Sequence, residues 1–154
     1  MRVFSAPLLD ELAARATTSP RRRAHLNVHA GAADLVQRFF VAVDRDSYIR
    51  PHRHLAKSEL AIVVRGTFEV ITFDEQGAIT GRHTVGVGTP LLGFEMPRAT
   101  WHTLIAREDG STFLEIKEGP YDPATASEFA AWSPPEGDPA AEAFLRKLRK
   151  TGGD

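Results

Sequence analysis

The chain has 154 residues, 42% of them apolar and 25% charged, which suits one ordinary hydrophobic core and excludes the composition of a disordered chain. Its 19 basic and 20 acidic residues leave a formal charge of −1, so no global field favours nucleic acid or an anionic membrane. There are no cysteines, which excludes disulfides, thiolate ligands and thiol nucleophiles; any metal here must use His, Asp or Glu. Met1-Arg2-Val3-Phe4-Ser5 opens no signal-type apolar run, and no run is long enough to cross a bilayer, so a cytoplasmic protein without nucleic-acid or membrane partners is expected.

Residues 5–16 read as a short helix, with Ser5 as N-cap, Pro7 in the first turn and Leu8, Leu9, Leu12 and Ala16 on one stripe. Thr17 to Pro20 ends it. In a near-neutral chain Arg21-Arg22-Arg23 reads as a solvated loop or a source of local ion pairs. From about Val36 to Lys117 the pattern becomes short β-rich runs, near 36–43, 47–54, 59–65, 67–73, 78–86, 90–94, 101–106 and 112–118. Gly77 and Gly66 mark tight turns between runs. Beyond Lys117 the prolines of Gly119-Pro120-Tyr121-Asp122-Pro123 and Ser133-Pro134-Pro135 exclude central strands and predict irregular wraps. Asp138-Pro139 then starts a helix with Phe144, Leu145 and Leu148 on its apolar face and cations in its last turn. The chain is therefore read as one domain, 1–154, with a barrel core over about 36–118, an N-terminal helix and arm over 1–35 and a C-terminal wrap and helix over 119–154.

His52 and His54 stand two apart in a β-type run, so both imidazoles project from one face and can reach one ion. Glu59 opens the next run after a turn that can return its carboxylate beside them. His102 begins a later run, from which a neighbouring strand can supply a fourth ligand. Imidazoles buried together in an apolar barrel lose hydration with no return, whereas a metal satisfies their lone pairs at once. His25, His29 and His83 read instead as hydrogen-bonded structural residues. By strand parity Tyr48 and Arg50 share the face of His52 and His54, and Glu115 and Lys117 share a face on the last strand. This predicts Arg50 as a clamp for a carboxylate or phosphate, Lys117 as an acid or base or as half of a rim ion pair, and Tyr48 as a further pocket residue.

The spacing His52-x-His54-x4-Glu59-x6-Gly66 resembles the first cupin motif, and Pro97-x4-His102 resembles part of the second. Asp46, Ala99 and Ala106 depart from the usual residues at turn-shaping positions of these motifs. The resemblance implies an all-β, cupin-type double-stranded β-helix (jelly-roll) barrel, flanked here by short N-terminal and C-terminal helices, with His52, His54, Glu59 and His102 as ligands. Arg23-x-His25-x-Asn27-x-His29, Val36-Gln37-Arg38, Tyr48 to His54, Trp101-His102-Thr103 and Lys117-x-Gly119-Pro120-Tyr121 look like the WbuC family of cupin-fold metalloproteins. That likeness implies a place in surface polysaccharide metabolism without naming a substrate.

Three imidazoles and one carboxylate suit one divalent transition metal (Fe, Mn, Zn, Ni or Co) with open positions for a ligand. The expected function is action on a small carbohydrate-related molecule, with isomerase or epimerase chemistry in which the metal stabilises enediolate-like charge. The alternatives are a non-catalytic sugar-binding or sensing module and an Fe-dependent dioxygenase. A homodimer is expected, because Leu60-Ala61-Ile62-Val63-Val64 is apolar on both faces and one face needs a cover.

Overall fold

The structure is a computed structural model and describes residues 1–151; the last three residues of the expected C-terminal wrap and helix lie outside them. Helix α1 (Ala6–Thr18) is capped by Ser5, whose side chain accepts from the Leu8 amide. Strands follow as β1 (Arg23–Asn27), β2 (Val36–Val43), β3 (His52–Arg53), β4 (Glu59–Arg65), β5 (Thr67–Phe73), β6 (Ile79–Gly86), β7 (Gly93–Met96), β8 (Trp101–Ala106), β9 (Ser111–Glu118) and β10 (Glu128–Phe129), and the chain continues into α2 (Ala140–Lys150). They form two five-stranded antiparallel sheets, ordered β1-β2-β9-β4-β7 and β10-β3-β8-β5-β6. This is the expected all-β barrel with two flanking helices.

Alternation along each strand divides its side chains between the space inside the sheets and the covers outside. Val41, Val43, Ala61, Val63, Phe68, Val70, Leu104 and Phe113 pack between the sheets, with Phe68 and Phe113 edge to face at 5.3 Å. The opposite parity of β5 and β8 gives Ile71, Phe73, Trp101 and Ile105, which lie under Phe144, Leu145 and Leu148 of α2 and under Trp132. Helix α1 lays Leu12 and Ala16 on Ala24, Phe40 and Ala42. All six residues of β8 are buried because both of its faces are covered, and this places His102 at full burial on the inner face beside Leu104.

Several expectations change. The run 47–54 is strand only at His52–Arg53. Pro51 has no N–H to give a ladder, and the preceding carbonyls are taken by side chains: Tyr48 O accepts from Arg23, and Ile49 O accepts from Thr103 Oγ1 at 2.5 Å. The run 90–94 shifts to Gly93–Met96, after a turn through Gly86–Thr89. The segment read as an arm contains strand β1, paired along β2 from Arg23↔Val43 to Asn27↔Phe39. Its periodicity is inverted relative to the core strands, since Ala24 and Leu26 face α1 while Arg23, His25 and Asn27 line the inner cavity. Helix α2 begins one residue later than expected, at Ala140, with Asp138 Oδ1 accepting from the Ala140 amide at 2.8 Å. Gly66 (φ +65°) turns β4 into β5 and Gly77 (φ +85°) serves the β5–β6 hairpin, as expected of the one residue that adopts positive φ freely.

Candidate metal centre

Both sheets contribute to one inner cluster. Strands β3 and β8 of one sheet pair His52 with His102, and β4 of the other brings in Glu59, opposite Met96 and Lys117. The candidate donor nitrogens of His52, His54 and His102 all lie within 4.8 Å of one another. The Glu59 carboxylate lies against two of them, with Oε2 3.0 Å from His54 Nε2 and Oε1 3.0 Å from His102 Nε2. His54, Glu59 and His102 are all buried.

Backbone carbonyls set the orientation of each ring. His52 Nδ1 meets Arg50 O at 2.9 Å, His54 Nδ1 meets Ala126 O at 2.5 Å, and His102 Nδ1 meets Thr100 O at 2.9 Å. A carbonyl can only accept, so each Nδ1 carries the proton and each neutral ring presents a bare Nε2. The Nε2 atoms of His54 and His102 are buried without a hydrogen bond. They face carboxylate oxygens, and lone pair against lone pair is repulsive unless a proton or a metal cation lies between. Two donors at right angles, each bonded at ~2.1 Å to one ion, stand ~3.0 Å apart, which matches both observed contacts. The residues present therefore fit a divalent ion. Holding the second ring nitrogen on a carbonyl is also the usual way a protein aims an imidazole at a metal.

The charges respond to this crowding. Burial would raise the Glu59 carboxyl, but contacts with His102 and His54 hold it well below the usual carboxylate range. Burial, joined by His102, pushes His52 down to about 3 against the pull of Glu59. For His54 burial acts downward as well, yet the close contact with the Glu59 carboxylate and its charge prevail and its value is raised.

The cluster opens into a cavity of about 590 Å³ with an apolar floor that includes Val41, Ala61, Leu104 and Phe113. Glu115 and Lys117 line it from β9, with Lys117 Nζ 2.5 Å from Glu115 Oε1 and 5.1 Å from the centre of the Phe39 ring. Burial and the neighbouring Glu59 raise the Glu115 carboxyl; burial lowers Lys117, but Glu115 and Glu59 outweigh it and the amine is raised. Arg50 also lines the cavity. Tyr48 does not join them. Its ring packs against Phe144 beneath α2 and its hydroxyl donates to Pro134 O at 3.0 Å, because the chain before Pro51 is not strand and parity does not carry back through it. Residues 126–136, which carry β10, cross the mouth as a strap: Ala126 orients His54, Ala130 N donates to Pro51 O, and Glu136 meets Arg21 and Arg23 at 2.7 and 2.5 Å. The sequence predicts a wrap over this stretch but not its contacts with the site, since a backbone carbonyl has no signature in composition. His25 and His29 reach the cavity wall from the N-terminal side; His29 Nδ1 lies within hydrogen-bonding distance of the Arg38 backbone. His83 is exposed on β6.

Two facing antiparallel sheets with this inner cluster define a cupin-fold protein. Residues 4–85 match the model of the family described as "Domain of unknown function (DUF6016)", and the chain belongs to that family. No curated protein sequence matches it. Among solved structures it is similar to KdgF from Halomonas sp., at 22% identity and TM-score 0.52 over 68% of this chain and 85% of that one. It is also similar to the capsular polysaccharide assembling protein CapF from Staphylococcus aureus, at 16% identity and TM-score 0.60 over 73% of this chain and 30% of that one. A third likeness is to oxalate oxidase in complex with the substrate analogue glycolate, at 15% identity and TM-score 0.55 over 90% of this chain and 77% of that one. This chain thus spans less than a third of CapF. No helix among the described residues is long and apolar enough to cross a membrane.

Proposed function

We propose that the chain is one cupin domain holding a single divalent transition metal through His52, His54, Glu59 and His102, and that it acts as an isomerase or epimerase on a small carbohydrate-related molecule. The observation that carries the metal assignment is the pair of buried, unbonded Nε2 atoms facing Glu59 at 3.0 Å. A bound ion supplies Lewis-acid stabilisation of negative charge on a substrate oxygen. Lys117 and Glu115 line the same cavity as a close ion pair that shares one proton between Nζ and the carboxylate, so that the pair serves as acid and base beside a substrate carbon.

Carbohydrate chemistry is supported by the WbuC-like stretches, which include the cavity residues Arg23, His25, Asn27, Arg50 and Lys117, and by likeness in fold to a capsular polysaccharide assembling protein. The test is proton exchange: metal-loaded protein mixed with candidate sugars in D₂O should wash deuterium into a carbon-bound position of the substrate. Ligand binding with no exchange would favour the sugar-binding module, and oxygen consumption with an iron-loaded protein would favour the dioxygenase.

A homodimer is part of this reading. Along β4 the inward Glu59, Ala61 and Val63 are buried, while Leu60, Ile62 and Val64 remain 39%, 38% and 37% exposed. Helices α1 and α2 cover other faces, so a second copy is the proposed cover for this stripe.

A further inference from the structure

The cavity wall carries four cationic side chains, Arg21, Arg23, Arg50 and Lys117, against three carboxylates, Glu59, Glu115 and Glu136. Glu136 is shared by Arg21 and Arg23, Glu115 is taken by Lys117, and Glu59 faces the imidazoles. Arg50 is the cation left over. Its Nε donates to Ser133 Oγ at 3.2 Å and its Nη2 to Ala130 O at 2.9 Å, both neutral acceptors. Among the described residues it has no carboxylate partner, and its Nη1 makes no hydrogen bond.

Its position is fixed as well as its charge. The two strap bonds hold the plane of the fork, which lies over the Phe129 ring at 5.3 Å. Phe129 in turn stands 6.2 Å from the His52 ring, and Arg50 O accepts the His52 Nδ1 proton. The guanidinium is therefore held on the wall of the cavity before any ligand arrives, which lowers the cost of ordering it on binding. The other cations of the wall already have carboxylates, and the apolar floor offers no charge.

We propose that the ligand of this cavity is a small organic anion whose carboxylate or phosphate group docks on the free edge of Arg50, with its polar remainder reaching the histidine cluster. Both acid types match a planar guanidinium, so both belong to the same chemistry. The inference rests on the reading of the metal centre only for where the far end of the ligand goes; the charge requirement stands without an ion.

Isothermal titration calorimetry with D-glucuronate, D-glucose 6-phosphate and neutral methyl glucoside tests it, on metal-loaded and on EDTA-treated protein. At least one anion should bind about tenfold or more tighter than the neutral glycoside, and that preference should fall about tenfold in Arg50→Gln at unchanged metal content. Arg50→Lys should fall between the two, since it keeps the charge and loses the fork. Tighter binding of glucuronate assigns a carboxylate, and tighter binding of the sugar phosphate a phosphate. The proposal is overturned if methyl glucoside binds as well as both anions, if neither anion binds wild-type protein at millimolar concentration, or if Arg50→Gln keeps the preference. The wild-type comparison needs no variant, so it decides even if Arg50→Gln fails to fold. Anion preference in a protein that takes up no metal would sink the metal centre and leave this inference standing; metal without anion preference would do the reverse.

Discussion

His102 Nε2 and Glu59 Oε1 lie 3.0 Å apart although they belong to different sheets, His102 to β8 and Glu59 to β4. The contact spans the two halves of the barrel at a buried polar point. An ion held there bridges the sheets, so metal should stabilise the whole fold and not only order a pocket. EDTA treatment should therefore lower Tm, and restoring the preferred metal should return it. A Tm indifferent to metal would mean that the sheets do not depend on the ion.

Glu59→Gln keeps the shape and loses the charge. In the metal-free protein it should be tolerated, because an amide can donate to a bare Nε2. In metal-containing buffer it should lose the stabilisation seen in wild type, by about 1–3 kcal/mol if the carboxylate is a true ligand. The comparison of Tm with and without metal for both proteins checks this.

Lys117 and Glu115 form a largely buried pair, so removing one partner strands the other. Lys117→Ala should cost stability as well as ligand binding or turnover, by up to ~3–5 kcal/mol if Glu115 stays charged. The double change Lys117→Gln with Glu115→Gln should recover most of that stability and none of the activity. If activity returns with stability, the pair only supports the fold.

Acid sensitivity has a defined sign at His25. Desolvation at the cavity wall, with Arg23, Arg21, Lys117 and Arg15 adding to it, pushes this imidazole down to about 4 although the residue as a whole stays exposed. Between roughly pH 6.5 and 4 the unfolded chain binds a proton at His25 that the folded chain refuses, so stability falls as pH falls through that window. His25→Asn should lose less Tm than wild type on going from pH 7 to pH 5. Equal losses would place the acid sensitivity elsewhere.

The clustering of His52, His54, Glu59 and His102 was legible because cupin-like spacing ties chemistry to strand parity, and β8 and β9 do keep that parity at His102, Glu115 and Lys117. Tyr48 shows its limit: Pro51 ends the ladder, and two residues further back the side chain faces a different cluster. Strand β1 escaped notice because its polar residues point inward, opposite to the rule by which core strands are found. The wrap over 119–154 was legible from its prolines, but its contacts with the site were not, because they are made by the carbonyls of Ala126 and Ala130.

The apolar stripe Leu60, Ile62 and Val64 predicts a dimer by light scattering at micromolar concentration, and Ile62→Lys should shift it to monomer with little change in Tm measured on the dissociated protein. A wild-type monomer would remove the dimer and leave the stripe solvated.

The most direct test of the metal centre is elemental analysis of untagged wild-type protein beside His102→Ala and His83→Ala. His102 presents a buried, unbonded Nε2 to Glu59, whereas His83 is exposed on β6 outside the cluster. Wild type and His83→Ala should each carry close to one equivalent of a divalent transition metal, and His102→Ala should lose most of it. Equal metal in wild type and His102→Ala, or none in either, would contradict the assignment.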